Sequence, residues 1–167
     1  MKRKLLIGSI ALFIAFTTFA LGYVASAAQI LPLGLQPAGT VRVGAVSAFD
    51  PINTSSTSFV DLPGLTNSFS IPAGKHGDLI IQFSGEVNSP SALYVRALVD
   101  GSVADPNNAG NGPQVFWGLG GGATTQGFNF YKFAVAAGAH TVKMQWAGLS
   151  GSQFMSYRSM IVVVNIH

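Results

Sequence analysis

The chain has no cysteine and very little charge. Without cysteine, its 167 residues can form no disulfide and no thiolate zinc site. Charged residues make up 9% of the chain, against roughly 25% in an ordinary soluble domain. Ser, Thr, Asn, Gln and Gly must therefore carry most of the solvent contact. Beyond the first thirty residues no stretch repeats apolar residues at the helical period. Acids are scarce as well. A glycosidase needs two carboxyl groups flanking the scissile bond. Here Asp100 is committed to a turn, Asp78 opens a strand, and the sole glutamate, Glu86, is placed to pair with Arg96 or Arg158. The acids thus point away from an enzyme.

What is present at the N-terminus is an export signature. Met1-Lys2-Arg3-Lys4 is a compact positive cluster, Leu5 to Val24 is a long apolar run, and Ala25-Ser26-Ala27 is a small-x-small cleavage pattern. Together these read as a secretory signal peptide over residues 1–27. An uncleaved anchor is the alternative, since about 20 apolar residues can just span a bilayer. Cleavage would leave no stable membrane span, and the expected location is secreted, extracellular or periplasmic, in a bacterium.

Cleavage also changes the charge. Lys2, Arg3 and Lys4 leave with the signal, so the formal net charge of +3 leaves with them. The mature chain keeps Arg42, Lys75, Arg96, Lys132, Lys143 and Arg158 against Asp50, Asp61, Asp78, Glu86, Asp100 and Asp105. A near-neutral domain has no basic face with which to displace counterions from phosphates, which excludes nucleic acid as a partner. It also has little to keep copies of itself apart.

Residues 28–39 are punctuated by Pro and Gly and read as a linker. From 40 to 167 short strand patterns recur, separated by Gly, Pro, Asn, Asp and Ser. The predicted strands are Thr40–Val46, Phe59–Leu62, Ser68–Ile71, Asp78–Ser84, Leu93–Val99, Val115–Trp117, Gly127–Ala134, His140–Ala147 and Tyr157–Asn165. Pro63-Gly64 is expected to form a turn, and Asp100-Gly101 a two-residue hairpin. This spacing predicts an all-β fold: a two-sheet antiparallel β-sandwich of jelly-roll type, with an immunoglobulin-like sandwich as the alternative.

Parity within the strands assigns the core. Leu79, Ile81 and Phe83 share a face, as do Val142, Met144 and Trp146. Two strands break the alternation. Met160-Ile161-Val162-Val163-Val164 is apolar throughout, and Phe128 and Phe130 stand on one parity with Tyr131 and Phe133 on the other. A strand apolar on both faces needs cover on both faces, and a two-layer sandwich covers one. The expectation is a homo-oligomer.

Ser58–Leu62 with Pro63-Gly64, Tyr94-Val95-Arg96-Ala97-Leu98-Val99-Asp100-Gly101, and Gly138-Ala139-His140-Thr141-Val142 resemble secreted bacterial jelly rolls near the tumour-necrosis-factor and complement-head type of fold. Such domains commonly form trimers through an apolar sheet face. The resemblance therefore implies a homotrimer, and it carries over no binding residues.

Local motifs add little. Gly118-Leu119-Gly120-Gly121-Gly122-Ala123 has dinucleotide-fingerprint spacing, but a β pattern follows where the motif needs a helix. Gly148-Leu149-Ser150-Gly151-Ser152 reads as a turn and not as a nucleophile elbow. His76, His140 and His167 lack metal-ligand spacing, and Asp105 with Asn107, Asn108 and Asn111 offers too little charge for calcium. No metal or cofactor is expected. The candidate ligand-binding residues are aromatic: Trp117 at the lip of a Gly-rich loop, with Tyr94 and Tyr131, as a stacking platform for carbohydrate. The functional expectation is a non-catalytic structural or interaction module that self-associates. A carbohydrate-binding module is the alternative, and a secreted hydrolase the weaker one.

Overall fold

Strict two-residue alternation along much of residues 40–167 becomes ten strands among the described residues of the computed structural model. The structure describes residues 39–106, 114–117 (backbone only) and 122–167. They belong to the unit Pro37–His167; the unit Met1–Gln36 lies outside them. So do the expected signal at 1–27, all of the linker but Gly39, and most of the two Gly/Asn-rich loops.

Two antiparallel sheets pack face to face. Sheet A runs β1 (Thr40–Ala48), β10 (Gln153–Ile166), β4 (Gly77–Asn88), β8 (Thr124–Val135), with β2 (Ile52–Thr54) continuing the β1 edge along β10. Sheet B runs β3 (Val60–Ile71), β9 (Gly138–Gly148), β5 (Ala92–Val99), with β6 (Ser102–Val103) and β7 (Gln114–Trp117) both against β5. The pairings nest: β1 with β10, β3 with β9, β4 with β8, and β5 with β7. This is one long antiparallel ribbon rolled up, which is the jelly roll. An immunoglobulin sandwich would set its first two strands side by side in one sheet. Here the first strand has the last as its neighbour.

Alternation fills the space between the sheets. Leu79, Ile81 and Phe83 of β4 and Met160, Val162 and Val164 of β10 meet Val95, Val142, Met144 and Trp146 from sheet B. Burying each such side chain contributes roughly 1.5–3 kcal/mol of transfer free energy. The Asp100-Gly101 hairpin forms as expected, both residues having positive φ (50° and 81°), the requirement of a type I′ turn.

Several expected boundaries are corrected. Pro63-Gly64 is not a turn. It lies inside the continuous strand β3, where the register with β9 shifts between Asp61 and Thr66. Leu62 and Leu65 on either side both enter the core, and the Pro63 carbonyl, lost from the ladder, accepts from Arg158 Nε at 2.9 Å. The last strand begins at Gln153 and not at Tyr157, because Ser156 and Tyr157 together oppose Glu86 in a bulge that flips the parity. β2 escaped sequence reading because three residues after Pro51 carry no periodicity.

Candidate functional site

The outer face of sheet A is graded from apolar to polar along its strands. Cross-strand register builds it in transverse rows. Val43 on β1 pairs with Val163 on β10, Val163 with Ile80 on β4, and Ile80 with Tyr131 on β8. All four lie on the outward parity; Val43 is 65% exposed and Ile80 49%. Val41 and Phe133 extend this apolar end, and the Phe133 ring packs on Tyr131 at 5.1 Å between centroids. The next row is Ala45, Ile161, Gln82 and Asn129, and the one after it Ser47, Ser159, Ser84 and Gly127. The far end carries Phe49, Tyr157, Glu86 and Thr125, which with that serine row line a cleft of about 170 Å³.

Two bulges shape this face. On β8, Phe133 and Ala134 together oppose Asp78, and Ala134 takes a left-handed φ of 54°. The Asp78 carboxylate accepts from the Ala134 N–H at 2.9 Å, replacing the missing ladder bond and fixing Phe133 outward. On β10, the Ser156–Tyr157 bulge sends Tyr157 out and Arg158 inward. The Arg158 guanidinium is buried and donates to the carbonyls of Pro63, Asp50 and Ser156 and to Asp50 Oδ1.

The outer face of sheet B has a different character. Arg96 Nε donates to Gln145 Oε1 at 2.8 Å, and Gln145 Nε2 donates to Asp61 Oδ1 at 2.8 Å. Lys143 Nζ adds a bond to Asp61 Oδ2 at 3.1 Å. The Arg96 guanidinium also lies 4.0 Å from the centre of the Phe59 ring. The bonds from Gln145 and Lys143 hold the Asp61 carboxyl below its ordinary value. These groups satisfy one another across three strands. At the end of this face His140 Nδ1 meets Asp100 Oδ2 at 2.6 Å, and the Thr141 N–H donates to Asp100 Oδ1 at 2.8 Å. Burial pushes the Asp100 carboxyl up, but the bonds from His140 and Thr141 prevail and lower it.

The sequence-derived site residues are divided between the two sheets. Tyr94 stands on the outward parity of β5 in sheet B, and Tyr131 on the outer face of sheet A, on the opposite side of the sandwich. One ligand cannot touch both. Trp117 ends β7, its backbone paired with Ala92; its side chain lies outside the described residues. Glu86 pairs with neither Arg96 nor Arg158; it accepts from Ser156 Oγ at 2.6 Å. Among the residues missed, Phe49 lies past the end of the predicted first strand, and Tyr157 opens the predicted last strand, whose outer parity the sequence left open. Their rings meet edge to face with centroids 6.0 Å apart.

No protein-family model matches the chain, and no curated protein matches it in sequence. Solved structures do resemble it in shape. The VP2 subviral particle of infectious bursal disease virus superposes with a TM-score of 0.44 at 15% identity, covering 80% of this chain and 36% of the viral one. The Gx strain of the same virus gives a TM-score of 0.42 at 12% identity, over 78% of this chain and 38% of that one. Dimeric latent PorU from Porphyromonas gingivalis gives 0.44 at 10% identity, over 77% of this chain and 13% of its own. The chain thus spans well under half the length of each of these proteins, and identities of 10–15% transfer no residue role from them.

Proposed function

We propose that this chain is an exported, non-catalytic structural or interaction module that assembles with copies of itself through the apolar end of the outer face of sheet A. The observation that carries the reading is the row Val43, Val163, Ile80 and Tyr131, flanked by Val41 and Phe133, on the side of the sheet that faces away from the core. Soluble monomers generally avoid exposing contiguous apolar patches. A second copy is the occupant favoured by charge. The mature chain carries six cationic and six acidic residues, so like faces meet without net repulsion. The resemblance to trimeric secreted jelly rolls supplies the stoichiometry, a homotrimer.

The acids support the non-catalytic part. Asp50, Asp61, Asp78, Glu86 and Asp100 are each engaged in holding a neighbouring backbone or side-chain group. Export rests on the N-terminal signature, with cleavage after Ala27 or Ala28.

Light scattering during size-exclusion chromatography tests the reading. Wild type should elute as an oligomer and Ile80→Lys as a folded species of lower mass. An Ile80→Lys variant that keeps the wild-type mass would remove this face as the contact.

A further inference from the structure

The polar end of the same sheet face has the makings of a second, separate site. Phe49 and Tyr157 are 67% and 58% exposed, and their rings pack edge to face with centroids 6.0 Å apart. Both rings continue the outward parity of their strands, Phe49 that of Val43, Ala45 and Ser47 and Tyr157 that of Val163, Ile161 and Ser159. The β10 bulge ends that run of alternation, since upstream of it Gln153 and Met155 face inward on the same parity. Phe49 precedes Asp50, whose carbonyl and carboxylate are both held by the buried Arg158 guanidinium, at 2.6 and 3.1 Å. Arg158 is also the chain neighbour of Tyr157. One buried cation therefore fixes the backbone on both sides of the aromatic pair, so little ordering remains to be done when a ligand arrives.

In front of this wall the floor is polar. The hydroxyl residues Ser47, Ser159 and Ser84 stand side by side across three strands, and Glu86 lies one row beyond them. The cleft they line holds about 170 Å³. That is below the roughly 300–1,000 Å³ of pockets that enclose a drug-sized molecule. It is a shallow seat for one ring of a longer chain.

We propose that this cleft binds one pyranose unit of a neutral polysaccharide, with Tyr157 and Phe49 taking the apolar C–H face of the sugar and Glu86 and the serines taking its hydroxyls. The carboxylate and hydroxyls are acceptors and donors in the alternation a polyol presents. A proline-rich peptide would instead want aromatics lining the groove, and here the opposite side is serine. Binding in this cleft needs no self-assembly. The cleft lies four residues along each strand from the Val43–Val163–Ile80 row, about 13 Å away at strand rise.

The test is retention of the protein on a printed array of neutral and acidic glycans with a polyproline peptide spotted beside them, followed by titration of the best-retained glycan. Wild type should bind at least one neutral glycan. Tyr157→Ala, at an exposed ring, and Glu86→Gln, whose amide oxygen can still accept from Ser156 Oγ, should each weaken it by about tenfold or more with a nearly unchanged melting temperature. Val163→Lys, which alters the distant apolar row, should bind like wild type per subunit if that row plays no part. Failure to retain any neutral glycan, retention of polyproline alone, or binding indifferent to Tyr157→Ala would each overturn the proposal. A Val163→Lys protein that binds normally as a monomer upholds the glycan site whatever becomes of the assembly.

Discussion

Val162 and Val163 are chain neighbours on β10 that face opposite sides of one sheet. Val162 is 1% exposed and packs into the core, while Val163 pairs with Val43 and Ile80 on the outer face. The same substitution at the two positions therefore separates folding from assembly. Val162→Lys buries an uncompensated ammonium and should leave an unfolded chain. Val163→Lys should give a folded subunit of reduced mass. Circular dichroism and light scattering on the two variants check both halves.

Ala134 holds a left-handed φ of 54°, with its N–H on the Asp78 carboxylate. A left-handed Ala costs roughly 1–2 kcal/mol, part of which Gly gives back in chain entropy. Ala134→Gly should thus raise stability by up to about 1 kcal/mol. Asp78→Ala should lower it by about 1 kcal/mol, through the lost bond to Ala134. Denaturant melts of the two variants should move in opposite directions.

Arg158 donates to three carbonyls and one carboxylate from a buried position. Arg158→Met fills similar space but leaves those carbonyls without their donor, and should cost about 3 kcal/mol. Arg158→Lys should recover only part of that loss, because one ammonium cannot reproduce the planar fork. Chemical unfolding of the three proteins side by side gives the comparison.

The carboxyls of Asp61 and Asp100 both sit below the ordinary aspartate value in the folded chain. Groups lowered by folding stabilise the protein above the unfolded pKa, and that contribution disappears as pH falls through the folded value. Wild type should therefore lose stability steadily below about pH 4. The difference between wild type and Asp100→Asn should be largest near neutrality and shrink toward about pH 2. A gap that widens on acidification would contradict the assignment.

Alternation made the fold legible. Leu79, Ile81 and Phe83, and Val142, Met144 and Trp146, read directly as core, and all are buried. The Asp100-Gly101 hairpin was equally plain, because two positive φ angles demand that dipeptide chemistry. The doubly apolar runs at 128–133 and 160–164 pointed to an outer apolar face, though parity alone could not tell which half of each run was outermost. Bulges are where the reading failed. The departures at Pro63-Gly64, Ser156-Tyr157 and Phe133-Ala134 are set by partners far along the chain, namely Arg158, Glu86 and Asp78. The placement of the candidate aromatics was illegible for a related reason. Tyr94 and Tyr131 are both strand aromatics, but which sheet each joins depends on the nested pairing, and that pairing puts them on opposite sides.

Sedimentation equilibrium of residues 28–167 at micromolar to high micromolar concentration tests self-assembly most directly. A single species of three subunits is expected, dissociating only on dilution. A monomer at high micromolar concentration would contradict it, and the apolar row at Val43, Val163, Ile80 and Tyr131 would then have to be covered by something other than a second copy of this chain.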